Sequence, residues 1–86
     1  MAQYERETVQ FHPVAVTRND ETVTTGVEFA VTAPGNRPET WAPAEVVAGQ
    51  TGLMVENMAP GPYTVWARVT SGVERVVIDT GTIEVR

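Results

Sequence analysis

The chain has 86 residues, no cysteine and a formal charge of −5. That length allows one small domain with a thin core, burying roughly 60–65% of its unfolded surface. The missing cysteines exclude a disulfide, a thiolate zinc site and a cysteine nucleophile, and six scattered arginines without a lysine exclude a nucleic-acid footprint.

Residues 1–12 read as an extended polar arm or a first edge strand. Glu5, Glu7, Val9 and Phe11 share one face of it, and Tyr4, Arg6, Thr8, Gln10 and His12 the other. Pro13 interrupts any ladder because it has no N–H. Two readings follow: a strand that kinks at Pro13 and resumes over Val14 to Thr17, or an arm that adds a strand to a neighbour's sheet edge. Residues 13–86 read as the domain proper.

Arg18-Asn19-Asp20-Glu21 is a polar turn, because Asn and Asp tolerate left-handed backbone. Val23, Thr25, Val27, Phe29 and Val31 then alternate, predicting a strand from Thr22 to Thr32 with a bulge or close approach at Gly26. Ala33 to Pro38 is a loop. Around Trp41-Ala42-Pro43-Ala44-Glu45-Val46-Val47 the sequence fits an edge strand or one helical turn, with Trp41 capping the core. Gly49 to Gly52 reads as a turn and Gly52 to Asn57 as a short strand placing Leu53 and Val55 inside.

The clearest pattern follows the Pro60-Gly61-Pro62 turn. Tyr63, Val65, Ala67 and Val69 point one way, and Thr64, Trp66, Arg68 and Thr70 the other, which is the mark of a strand with one buried face. Ser71-Gly72 turns the chain into a strand over Val73 to Asp79. Thr80-Gly81 bends it again, and Ile83 and Val85 point inward in the last strand. The expected core is Val27, Phe29, Val31, Tyr63, Val65, Val69, Ile83 and Val85. About seven short strands at this spacing predict a single all-β antiparallel sandwich.

Met58-Ala59-Pro60-Gly61-Pro62-Tyr63-Thr64-Val65 resembles the late-strand entry of immunoglobulin-like and fibronectin type III-like domains. The resemblance implies an immunoglobulin-like β-sandwich in which the Tyr63 hydroxyl bonds backbone a few residues upstream. The antibody-type cysteine pair is missing. Pro-Tyr-Thr-Val-Trp-Ala-Arg-Val-Thr (62–70) and Asp-Thr-Gly-Thr-Ile-Glu-Val (79–85), in a lysine-free chain, look like small immunoglobulin-like structural proteins of tailed bacteriophages that infect GC-rich bacteria. Such domains decorate capsids or sit at the neck and tail.

Catalytic signatures are lacking. A serine-histidine-acid triad would need Ser71 and His12, the sole serine and histidine, and nothing in their spacing brings them together. Asp20-Glu21 with Asp79 has no calcium-loop motif around it. Ser71-x-x-Glu74 has capping-box spacing but precedes β-branched residues. No phosphate-binding glycine loop, cofactor motif or metal motif is present. The expectation is therefore a non-enzyme without cofactor.

What remains is surface. Trp66, outward beside Thr64 and Arg68, is either covered by a second layer or an interface anchor. Tyr4, Val9, Phe11, Trp66 and Arg68 are the candidate interface residues. Arg68 and Arg75 form a small basic strip, or pair with Glu74 or Glu84 across the sheet. The resemblance implies a virion protein that contacts capsid, neck or tail proteins and copies of itself, with no nucleic-acid or membrane partner. No stretch reads as a membrane span, and Met1 to Glu7 does not read as a signal peptide, so synthesis in the host cytoplasm is expected. The alternative is a free-standing carbohydrate- or protein-binding module of adhesion type using an exposed Trp66. A third reading is an inhibitor presenting the Ala33–Pro38 loop.

Overall fold

The computed structural model describes residues 2–18, 20–56 and 58–86. Its strands in chain order are β1 (Ala2–Tyr4), β2 (Gln10–Pro13), β3 (Thr17–Arg18), β4 (Glu21–Thr22), β5 (Val27–Thr32), β6 (Ala42–Pro43), β7 (Glu45–Val47), β8 (Gln50–Val55), β9 (Gly61–Ser71) and β10 (Glu74–Val85). No helix forms among the described residues. One sheet has the order β1-β10-β9-β5-β6 and the other β2-β8-β7, while β3 and β4 make a small separate ribbon.

This order is that of an immunoglobulin-like sandwich. The strands β10, β9 and β5 stand where that fold has G, F and C, and β2, β8 and β7 where it has B, E and D. Every pairing is antiparallel except β1, which runs parallel to the end of β10 through Ala2 opposite Ile83 and Tyr4 opposite Val85. Tyr63, the third residue of β9, donates its hydroxyl to the Ala59 carbonyl at 2.6 Å, the corner geometry expected of it.

The core forms where the two sheets face. Val16, Val27, Phe29, Val55, Val65, Ala67 and Ile83 make one buried cluster, and Val85 is buried beside them. Val31, Tyr63 and Val69, expected inside, are only half-buried at its rim. All three lie toward strand ends. Thr51 is also buried, and its hydroxyl donates to the Val14 carbonyl at 2.7 Å, which satisfies the polar atom.

Several boundaries differ from those the sequence predicts. The strand expected over 22–32 starts only at Val27. Gly26 has φ +69°, and a Cβ there would sit 2.5 Å from the Thr70 carbonyl oxygen, so the chain breaks at this close approach and pairs from the next residue. Residues 42–47 take the edge-strand alternative, as two short strands. The turn placed at 49–52 is instead Ala48-Gly49, both with positive φ, as a two-residue I′ hairpin loop requires. That frees Gln50 to Gly52 to open β8, and β8 ends at Val55; the expected end at Asn57 lies outside the described residues. The bend at Thr80-Gly81 is a bulge within one continuous strand, with the register shifting between Asp79 and Gly81.

The N-terminal stretch takes the edge-strand alternative. Its first part lies along β10 and its second along β8. The backbone of Arg6 and Tyr4 bonds Arg86 at 2.8 and 2.7 Å, tying the two ends of the chain together.

Candidate functional site

The hairpin of β9 and β10 is the longest element pair, and its turn is Gly72-Val73. Gly72 has φ +59°, matching the first position of a II′ turn. The half of this hairpin next to the core is buried. The other half, toward the turn, is exposed. There Val76, Val77 and Ile78 are 51%, 40% and 46% exposed, and Val73 at the tip is fully exposed. Val76 and Ile78 share the face that continues from the core. With Val16, Val23 and Val69 they line a shallow apolar shelf of about 180 Å³.

Among the described residues the opposite edge of β10 has no partner over most of its length. β1 pairs only with residues 83–85. Thr70 donates its N–H to the carbonyl of Gly26, just before β5, at 2.9 Å. Its neighbour across the ladder, Arg75, therefore does not bond β9. By the alternation of an antiparallel ladder, Arg75, Val77 and Asp79 direct N–H and C=O outward into solvent. An open, β-branched edge of this kind is a template for another strand.

The face of the five-stranded sheet turned away from the core carries the tryptophans. Trp66 is half-buried; its Nε1–H donates to Thr32 Oγ1 at 3.0 Å, and the Arg37 guanidinium sits 5.1 Å from its ring centre. Arg68 lies 4.7 Å from the Trp41 ring centre and donates through Nε and Nη2 to Glu28 Oε1 at 3.0 and 2.7 Å. Both indoles thus have an arginine over one face. Trp41 does not cap the core. It lines an open groove of about 380 Å³ with Thr40, Ala42 and Met54 at the β6 edge, and Glu45 is the one carboxylate there.

The remaining candidate residues scatter. Tyr4 packs against the core rim, and its hydroxyl meets His12 Nδ1 at 2.6 Å, linking β1 to β2 across the two sheets. Burial lowers the His12 pKa and raises that of Tyr4, so both groups are favoured in their neutral forms, and the imidazole tautomer sets which of the two donates. Phe11 is half-buried with its ring over Gly52, while Val9 is exposed. The structure therefore does not gather Tyr4, Val9, Phe11, Trp66 and Arg68 into one patch. His12 lies beside Val65 and residues 80–82, and Ser71 lies near the hairpin tip with Val16 and Glu74. Among the described residues no three His, Asp or Glu side chains gather as a metal site. Arg68 pairs with Glu28 on β5, not with Glu74 or Glu84.

Comparison with protein-family models, with curated proteins and with solved structures finds no match for this chain. The site that stands out is one the sequence reading did not select. Val76, Val77 and Ile78 read as ordinary strand residues. The available signal was the run Val73-Glu74-Arg75-Val76-Val77-Ile78, which has apolar side chains on both faces of one strand where a half-buried strand would need only one.

Proposed function

We propose that this chain is a non-enzymatic structural protein acting through protein–protein contact, and that it serves in a tailed-phage virion as a decoration, neck or tail subunit. The observation that carries the contact reading is the apolar half-hairpin over Val73–Ile78, exposed on an open strand edge. Monomeric domains rarely leave such a surface uncovered. The virion assignment rests on the resemblance of residues 62–70 and 79–85 to phage immunoglobulin-like proteins. The partners in this reading are other virion proteins and further copies of the chain, many copies supplying avidity.

The adhesion reading is less favoured, because a sugar-stacking platform needs an open indole face. In both Trp41 and Trp66 an arginine already occupies one face, and both side chains are half-buried.

Density-gradient fractionation of the native source, followed with an antibody to this chain, tests the virion assignment. The expected result is co-migration with particles that survives a salt wash. Recovery only at the size of a free 9.3 kDa chain would overturn it.

A further inference from the structure

We propose that two copies of this chain pair through the free edge of β10, antiparallel and two-fold symmetric about Val77. This names the first partner of the hairpin surface and rests on reading that hairpin as a binding surface. It does not depend on the virion assignment.

The edge is self-complementary in three independent ways. The first is hydrogen bonding. A two-fold axis at Val77 places Val77 opposite Val77 and Arg75 opposite Asp79 of the second copy. Arg75, Val77 and Asp79 are the residues whose N–H and C=O point outward, so each faces a residue that can exchange both bonds with it. A register shifted by one residue would place outward groups against groups already bonded to β9.

The second is charge. Arg75 has no ion pair among the described residues, and in this register it meets the Asp79 carboxylate across the strand, twice in the dimer. Asp79 accepts from the Gly81 N–H through Oδ1 at 2.9 Å, which holds the side chain in place and leaves Oδ2 for the guanidinium. Opposite charges directly across an antiparallel pair are favourable and like charges are not.

The third is the apolar surface. Val76 comes to lie opposite Ile78 on the shelf face, so the shelves of the two copies merge, and the two Val77 side chains meet on the other face. The exposed apolar residues of the strand are thereby covered by one another. The bulge after Asp79 and the occupation of residues 83–85 by β1 end the pairing on each side, so the contact closes at two copies instead of continuing into a fibre.

The test is the mass of the purified chain by sedimentation equilibrium over a range of concentrations. The expected result is a reversible rise from 9.3 kDa to twice that value and no further. Val77→Pro removes an outward N–H while leaving the bonds to β9 intact, and is expected to hold the chain at monomer mass. Arg75→Asp sets Asp against Asp79, and Asp79→Arg sets Arg against Arg75; each alone should weaken pairing by at least roughly tenfold. Mixed in equal amounts the two restore both ion pairs and should form a heterodimer. Near-ultraviolet circular dichroism checks that each variant folds. Should Asp79→Arg not fold, having lost the Gly81 bond, Val77→Pro still decides the question. A chain that stays monomeric at every concentration, a dimer indifferent to Val77→Pro, a folded pair of charge variants that does not recover on mixing, or a mass that rises beyond two copies would each overturn the proposal. None of these results bears on particle association, which the gradient reads separately.

Discussion

The two halves of the β9–β10 hairpin are built from the same kind of sequence and meet opposite environments. Near the core, Val65, Ala67 and Ile83 are buried in one cluster with Val55 of the second sheet, and Val85 is buried as well. Toward the tip, Val76 and Ile78 continue the same face of the same ladder and stay half-exposed. Alternation gives a strand two faces; it does not supply the cover. Cover comes from elsewhere in the chain, and it reaches Ala67 but not Ile78 directly across the ladder from it. One half of the hairpin therefore contributes to stability, and the other is left for contact.

Substitutions at the two ends should separate these roles. Ile83→Ala removes a fully buried side chain and should cost about 2–5 kcal/mol, measured by urea unfolding of the dilute chain. A loss no larger than that of a surface substitution would erase the distinction. The cover itself is tested by Thr51→Val. It leaves the Val14 carbonyl without its donor and should cost roughly 1–3 kcal/mol, read in the same unfolding experiment. Tyr63→Phe removes the bond to Ala59 at the start of β9 and should cost less, about 0.5–1.5 kcal/mol, with the hairpin tip unaffected.

The link between β1 and β2 sharpens the comparison through pH. Burial lowers the His12 pKa from its ordinary 6.5, so the folded state favours the neutral ring. Its contribution to stability is present above pH 6.5 and declines as the pH falls from there toward the lower folded value. The urea midpoint should drop across that window, and the drop should shrink in His12→Gln; an unchanged pH profile in that variant would contradict the role given to the burial of His12. Smallest of all should be Ile78→Ala in the monomer, about 0.5 kcal/mol or less, because the side chain it truncates is already half in water. The same substitution should weaken self-association measurably.

Much of the fold was legible in the residues. Val27, Phe29, Val65, Ile83 and Val85 lie in the core because period-2 alternation with β-branched or aromatic side chains has few other solutions. Tyr63 was placed by its Pro-Gly-Pro approach. The five-stranded sheet's second tryptophan, Trp41, was misplaced because Pro43 gives the edge strand without saying which face it shows. Trp66 was correctly turned outward, yet its cover by Arg37 depends on a loop 29 residues away in sequence, which no local pattern carries. The hairpin surface was missed for a related reason. Burial of Val76 and Ile78 depends on the length of β2, β8 and β7, and those strands are bounded by Pro13 and the Ala48-Gly49 turn, far from β10 itself.

Residue-resolved amide exchange across the hairpin, at low and at high protein concentration, tests the division most directly. The N–H groups of Val76 and Ile78 point to β9 and should be protected at both concentrations. That of Val77 points outward and should exchange freely in the dilute chain and slow as copies pair, while Ile83 stays protected throughout. A Val77 amide that exchanges at one rate whatever the concentration would contradict the account of the outer half as a contact edge.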